Sequence, residues 1–219
     1  MNLLYALEGN NVRWPSKISN HETVYQMYTR LHTAQASSGN QQWHAVRDYY
    51  KFGFVRNPWE RISSLYRYLK EKRPKLKIDS VGSFSDFLEQ ANNGVQWIRE
   101  LHSMRPQCDF FRSQRSAPLS ADFIGHYEYL AEDFAAVARK LGIPPVRLPH
   151  LNRSSNSNVD YRPGYTDRSI EIVRSLFHED IELFGYTFEH RKPVRGPREM
   201  VPRGHPRVPG ENPGIPGEP

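Results

Sequence analysis

The chain has 219 residues and a formal net charge of +6, with 30 Lys and Arg against 24 Asp and Glu. That length is enough for one α/β or α+β domain, and 12% aromatic residues argue against a wholly disordered chain. No apolar run approaches the roughly 18 to 20 residues of a membrane span, and the single cysteine, Cys108, excludes an intrachain disulfide framework. Since the first residues also lack the features of a signal peptide, we expect a cytoplasmic protein.

A strand followed directly by a helix is predicted between residues 51 and 69. The apolar run 51–55 has the length of a buried strand, and Asn57 then provides an N-cap with Pro58 at the first helical position. Glu60 occupies the position of the acidic residue in a capping box. The spacing i, i+3, i+4, i+7 predicts one apolar helix face made of Ile62, Leu65, Tyr66 and Leu69.

Four further elements are predicted from the spacing of their apolar residues. They are a short helix that begins at 84 and ends near 92–94, a strand at 122–125, and helices at 130–141 and 170–184. Gly142 and Gly185 end the two later helices, because glycine accepts the left-handed conformation that commonly closes a helix. With the strand at 51–55, these elements complete one predicted domain over residues 1–190.

The segment 191–219 differs in composition from the rest of the chain. It holds 8 of the 17 prolines and 5 of the 14 glycines, with few large apolar side chains. Because so little apolar surface cannot offset the entropy lost on ordering, we predict a disordered tail. Its six Lys and Arg against three Asp and Glu supply half of the net charge of +6. The body is therefore nearly balanced, and its charge does not by itself indicate a nucleic-acid-binding protein.

The predicted junction between strand and helix is a candidate anion site. A helix N-terminus offers unsatisfied N–H groups and a positive dipole, and Arg56 at the strand end adds a planar charge that can bind phosphate through two hydrogen bonds. Ser64, two turns into the helix, adds a hydroxyl if the ligand lies along the first turns. The alternative is that Arg56 pairs with a carboxylate such as Glu60 while Ser64 faces solvent. Spacing alone favours this alternative.

The run 54–66, Phe-Val-Arg-Asn-Pro-Trp-Glu-Arg-Ile-Ser-Ser-Leu-Tyr, resembles the 3′-phosphate motif of sulfotransferases, most closely that of the carbohydrate-type family. In that family the strand-end Arg and the Ser eight residues later bind the 3′-phosphate of the donor 3′-phosphoadenosine 5′-phosphosulfate. The resemblance implies that Arg56, Ser64 and the helix start at Asn57 bind this cosubstrate. Similar segments at 31–34, 122–134, 148–152 and 180–186 extend the resemblance over roughly residues 20 to 188.

The resemblance also implies a fold and a reaction. The fold is a three-layer α/β domain with a parallel central sheet, related to P-loop kinases, in which the strand ending at Arg56 is central. The reaction is sulfuryl transfer to a hydroxyl, with a glycan as the expected acceptor and no metal. A hydroxyl acceptor needs a general base, and His32 is the first candidate by its position, ahead of His21, Glu22 and His44. The alternative for His32 is a surface histidine bonded to a neighbour.

One departure from the family concerns its 5′-phosphosulfate loop, a Pro-Lys segment that follows the first strand. Nothing before His32 fits this loop, since Lys17 is the only lysine there and no apolar strand precedes it. We therefore expect a truncated chain in which the first strand and the loop are missing, and in which activity is weak for that reason.

Two other functions stay open at this point. A non-catalytic nucleotide-binding remnant would keep 3′-phosphate affinity through Arg56 and Ser64 and transfer nothing. A nucleic-acid-binding module would use the basic tail and the basic stretch 70–77, with an affinity that falls steeply with salt. A P-loop kinase is excluded, because no Gly-x-x-x-x-Gly-Lys-Ser/Thr sequence occurs.

Two residues near these motifs receive structural roles, and a third receives no catalytic role. Glu128 is predicted to anchor the turn between a strand and a helix. Cys108 has no basic neighbour in sequence and is predicted to be a buried, inert thiol. Arg61 faces either the ligand or an acidic neighbour, and no catalytic role is assigned to it.

Overall fold

The computed structural model describes residues 50–72, 77–112, 118–144, 148 and 160–193. The strands and α-helices are, in chain order, β1 (Phe52–Val55), α1 (Pro58–Lys72), α2 (Phe84–Asn92), α3 (Gln96–Arg99), β2 (Phe123–His126), α4 (Leu130–Lys140), α5 (Asp167–Leu176) and α6 (His178–Phe184). None of the helices in this described part of the chain is long and apolar enough to cross a membrane. Helices that alternate with strands in this way are typical of an α/β domain.

The two strands lie side by side in a parallel sheet. Phe52 of β1 lies opposite Phe123 of β2, and Val55 lies opposite His126. The connection between them carries α1, α2 and α3, as expected because parallel neighbours need a long crossover. The mixed α/β architecture with a parallel sheet is thereby confirmed. The three-layer, P-loop-kinase-like arrangement and a missing first strand stay predictions, since residues 1–49 lie outside the described part.

Helix α1 packs its predicted face into the core. Its first residue is Pro58, as the sequence predicts, and Ile62 and Leu69 are buried while Leu65 and Tyr66 pack against the same cluster. The core continues through buried side chains of the other elements, among them Val55, Phe87, Ile98, Phe111, Val173 and Phe177. The burial of this face fixes α1 against the rest of the domain and so fixes the direction in which its N-terminus points.

The later helices agree with the sequence in their ends but not in their number. Gly142 and Gly185 have φ angles of 66° and 67° after α4 and α6, as predicted for helix-ending glycines. The stripe at 170–184, however, forms two helices separated at Phe177, whose φ of −126° and ψ of 27° are not helical. Phe177 is buried in the core at this bend. Spacing alone misses the break, because one non-helical residue does not interrupt an apolar stripe.

Gly53 lies in β1 where the ring of Phe111 packs on its backbone. A Cβ at this position would overlap with Phe111 Cε1, closer than real Cβ atoms essentially ever come to another atom. We expect Gly53→Ala to lower the free energy of unfolding by about 1–3 kcal/mol, because the buried ring must move. Gly164→Ala is the matched control, since no atom lies within 4 Å of its Cβ position. Equal unfolding midpoints for the two variants in denaturant would show that the Phe111 ring can move without a loss of stability.

Candidate anion-binding site at the strand–helix junction

Asn57 organises the junction between β1 and α1 and is fully buried. Its Oδ1 accepts hydrogen bonds from the main-chain N–H groups of Trp59 at 3.1 Å and Glu60 at 3.4 Å, which makes it the N-cap that the sequence predicts. Its Nδ2 donates to oxygens of three residues from the C-terminal part of the chain, namely Tyr161, Thr187 and His190, at 3.3–3.4 Å. Asn57 therefore also ties the segment after α6 to the start of α1.

The main-chain N–H groups at the start of α1 are engaged within the protein. Pro58 has none, those of the next two residues bind Asn57 Oδ1, and that of Arg61 binds the Asn57 carbonyl at 2.8 Å. The expectation that unsatisfied N–H groups would bind the anion is therefore wrong for these residues, because their N–H groups are already hydrogen-bonded to Asn57. Attraction for an anion rests instead on the helix dipole and on the side chain of Arg56. A direct contact between Asn57 and a nucleotide stays a prediction.

The side chain of Arg56 lies at this helix start and is 24% exposed. Its Nη2 is 3.1 Å from Glu60 Oε1, and its central carbon lies 4.7 Å from the centre of the Tyr127 ring. Its Nε is buried and makes no hydrogen bond to any residue that the structure describes. The pair with Glu60 is the one expected from spacing alone. Because a guanidinium has five N–H donors, this single contact leaves donors for a phosphate.

Glu60 joins two arginines at the junction. Its buried carboxylate contacts Arg56 and, through the same Oε1, accepts a hydrogen bond from Arg191 Nη2 at 2.7 Å. Burial raises the pKa of Glu60, but the bond from Arg191 and the charge of Arg56 outweigh it and leave the pKa below its usual value. The capping-box position of Glu60 is not used as predicted. The N–H of Asn57 is bound by Glu128 Oε1 at 2.7 Å instead.

Glu128 connects three parts of the domain, as its predicted anchoring role requires. Besides the Asn57 N–H at the end of β1, it accepts a hydrogen bond from the Tyr186 hydroxyl at 3.0 Å through Oε2. Glu128 itself follows β2, so its carboxylate links both strand ends to the segment after α6. Burial raises the pKa of Glu128 above its usual value. These contacts give the carboxylate a structural role, with its bonds made to the start of α1 and to Tyr186.

Glu60 and Glu128 should give opposite pH dependences of stability. Both have an unperturbed pKa of 4.5, which is lowered in folded Glu60 and raised in folded Glu128. The stability that Glu60 contributes is fully present above its pKa in the unfolded chain and is lost as pH falls through its pKa in the folded protein. The stability that Glu128 contributes is fully present below its pKa in the unfolded chain and is lost as pH rises through its pKa in the folded protein. From about pH 4 to pH 7, Glu60→Gln should become more destabilising and Glu128→Gln less destabilising. Denaturant unfolding across that range checks this, and parallel trends would contradict it.

The structure places only part of the predicted site. Ser64 is half-buried and lies on α1 four residues after Glu60, hence on the same helix face as that carboxylate. His32, the predicted base, lies outside the described residues, as do the alternative bases and Lys17. Their relation to Arg56 stays a prediction. The described site therefore consists of Arg56 and its supports, with Ser64 further along the helix.

Arg61 lies behind the junction and faces an acidic neighbour, which is one of the two roles expected for it. Its Nη2 is 3.8 Å from Asp180 Oδ2, its Nη1 donates to the Arg105 carbonyl at 3.1 Å, and its central carbon lies 4.8 Å from the Phe177 ring centre. Burial lowers the pKa of Arg61 to about 10, so the side chain stays charged at neutral pH. This interior contact is consistent with a structural role.

Cys108 is a buried thiol, as predicted. Burial raises its pKa, and its Sγ lies 3.5 Å from Glu179 Oε2. Cys108, Asp109 and Glu179 bring a thiol and two carboxylates within 4.8 Å of one another, which is a spacing that metal ions accept. Glu179, however, pairs with Arg112 at 2.7 Å. A protonated thiol beside a carboxylate that is already paired makes a poor nucleophile and a poor ligand set.

The first residues of the predicted tail contact the junction and the segment after β2. Besides the bond from Arg191 to Glu60, the Lys192 amine lies 4.8 Å from the Tyr129 ring centre, and the Pro193 carbonyl accepts from the Tyr129 hydroxyl at 3.5 Å. Residues after 193 lie outside the described part, where disorder stays a prediction. The contact of Arg191 with Glu60 was not predicted from the sequence, because 131 positions separate the two residues and no local pattern indicates it.

Comparison with known proteins supplies a family. Residues 1–187 match the sequence profile described as "Sulfotransferase family". An uncharacterized protein of Archaeoglobus fulgidus is 31% identical over 110 residues, which cover 50% of this chain and 82% of that protein. No solved structure gives a significant match. Since the family match extends over most of the chain and includes the strand–helix junction with Arg56, the chain belongs to the sulfotransferase family.

Proposed function

We propose that this protein transfers a sulfuryl group from 3′-phosphoadenosine 5′-phosphosulfate to a hydroxyl of a carbohydrate. Family membership supports sulfuryl transfer in general. The observation that carries the specific proposal is the partly exposed side chain of Arg56, with its guanidinium, at the N-terminus of a 15-residue helix. A permanent planar cation at the positive end of a helix dipole suits a phosphate dianion better than a neutral ligand.

In this proposal the 3′-phosphate of the donor binds Arg56 and the Ser64 hydroxyl. Glu60 and Tyr127 already contact the guanidinium, one at an edge and one over its face. These contacts restrict the rotamers of a long side chain before the ligand arrives, which lowers the entropy that binding costs. Asn57 supports the site as the cap of α1. No metal ion enters the proposal, because the arginine supplies positive charge.

The proposed chemistry is an in-line displacement at sulfur. The acceptor oxygen forms a new bond to sulfur while the bond between sulfur and the 5′-phosphate oxygen breaks, and 3′,5′-adenosine bisphosphate leaves. The proton of the acceptor hydroxyl passes to a base, for which we propose His32. Histidine suits this role because its ordinary pKa lies near neutral pH.

Transfer of labelled sulfate from the donor to a panel of glycans tests the proposal directly. We expect labelled product with at least one hydroxyl-bearing glycan, and a loss of about 100-fold or more in rate for His32→Ala. His178→Ala is the matched control, since this exposed histidine lies at the start of α6 and its Nδ1 is 3.4 Å from the Ser175 carbonyl oxygen of α5. Binding of 3′,5′-adenosine bisphosphate without any transfer would instead indicate a nucleotide-binding protein that is not an enzyme.

A further inference from the structure

The main chain of Arg56 is held by the side chain of Gln107. Gln107 Oε1 accepts a hydrogen bond from the Arg56 N–H, and Gln107 Nε2 donates to the Arg56 carbonyl, both at 2.9 Å. The Gln107 carboxamide thus bonds both the N–H and the carbonyl of one residue, as a neighbouring β-strand does with its main chain. The pairing of β1 with β2 ends one residue earlier, at Val55. Gln107 therefore fixes the residue at which the strand gives way to the helix.

Gln107 is itself held in place by the core. It is buried, its own N–H donates to Asp180 Oδ2 at 2.7 Å, and its Nε2 lies 3.4 Å from the same oxygen. Asp180 is fully buried on α6 and lies beside Arg61 of α1. The position of the Arg56 main chain is thereby set by two helices through one carboxamide. A buried side chain with both polar ends bonded has little freedom to adapt.

We propose that Gln107 is a positioning residue for nucleotide binding, which sets the point from which Arg56 reaches the 3′-phosphate. The inference rests on the proposed function. Recognition of phosphate by two parallel N–H donors depends on the direction of the guanidinium, so a shift of the Arg56 backbone misaligns both bonds together. Glu60 and Tyr127 contact the end of the side chain, whereas Gln107 holds its base.

Calorimetry on the full chain with two nucleotides separates positioning from a general structural role. The probes are 3′,5′-adenosine bisphosphate and adenosine 5′-monophosphate, which lacks the 3′-phosphate. We expect Gln107→Met, similar in length but unable to bond the backbone, to weaken bisphosphate binding about tenfold and monophosphate binding less than about twofold. Added to Arg56→Ala, it should weaken bisphosphate binding no further. Gln96→Met, at an exposed glutamine that bonds Glu100, should change neither.

Two results would overturn the positioning role. One is an equal loss of affinity for both nucleotides in Gln107→Met, and the other is no loss of affinity for either nucleotide. If circular dichroism shows that this variant does not fold, Gln107→Asn decides by the same ratio of affinities, because it keeps an uncharged carboxamide on a side chain too short to bond both main-chain groups of Arg56. A wild-type chain that shows no preference for the 3′-phosphate would contradict the proposed donor as well. Preference in the wild type with an unaffected Gln107 variant contradicts the positioning alone.

Discussion

Replacing Asp180 with alanine should lower the free energy of unfolding by about 3–5 kcal/mol. Asp180 is fully buried and accepts hydrogen bonds from the main-chain N–H groups of Gln107 at 2.7 Å and Cys108 at 2.8 Å. It is also the carboxylate beside Arg61, whose Nε and Nη2 are buried and make no hydrogen bond to the described residues. Removing the carboxylate leaves the buried Arg61 cation without its acidic partner and two buried N–H donors without an acceptor. Unfolding in denaturant, followed by fluorescence, measures the loss.

Asp79→Ala provides the control for this variant. Asp79 is an exposed aspartate in the short 3-10 helix Lys77–Ser80, so its removal should change stability by no more than about 0.5 kcal/mol. A loss in Asp180→Ala no larger than in Asp79→Ala would mean that the buried network does not hold the domain together. The support assigned to Gln107 and Arg56 would then lose its basis.

Replacing Arg56 with alanine should reduce kcat/KM for the sulfuryl donor by about 100-fold. Two charge-assisted hydrogen bonds to the 3′-phosphate contribute about 3 kcal/mol, and each 1.4 kcal/mol corresponds to a factor of ten. The fold should survive, because Glu60 keeps its bond to Arg191 after Arg56 is lost. Arg56→Lys should recover only part of the rate, since an ammonium cannot bind phosphate with a planar pair of donors.

The control for the Arg56 variants is Arg174→Ala. Arg174 is an exposed arginine on α5 that pairs with Glu171 of the same helix, and its loss should leave donor kinetics unchanged. A rate for Arg56→Ala within about threefold of the wild type would remove Arg56 from the donor site. The strand–helix junction would then be a structural feature of the fold alone, held by the ion pair with Glu60.

Local chemistry explains the features that the sequence predicted well. The run before Arg56 is apolar and short, Asn57 and Pro58 are strong signals for a helix start, and the stripe from Ile62 onwards has helical spacing. The prediction of free N–H groups at the helix start was wrong for an equally local reason. An Asn at the N-cap implies a side chain that binds the first N–H groups, so the residue that marks the helix start also removes them as ligands.

Contacts between distant residues explain what the sequence did not predict. Gln107 lies 51 positions from Arg56, Glu128 lies 71 positions from Asn57, and Arg191 lies 131 positions from Glu60. Tertiary structure alone brings such pairs together, and no periodicity or motif encodes them. A structural role for Glu128 was predicted from its place directly after a predicted strand, but its partners Asn57 and Tyr186 were not. Gln107 offers no comparable signal in its surroundings.

The central claim, that Arg56 binds the 3′-phosphate of the sulfuryl donor, is tested most directly by phosphorus-31 NMR of 3′,5′-adenosine bisphosphate. The two phosphates of this nucleotide give separate resonances, so each can be followed during titration with protein. With the wild-type chain we predict that the 3′-phosphate resonance shifts and broadens, and that Arg56→Ala abolishes this change while Arg174→Ala preserves it. A 3′-phosphate resonance that responds equally to the wild type and to Arg56→Ala would contradict the account.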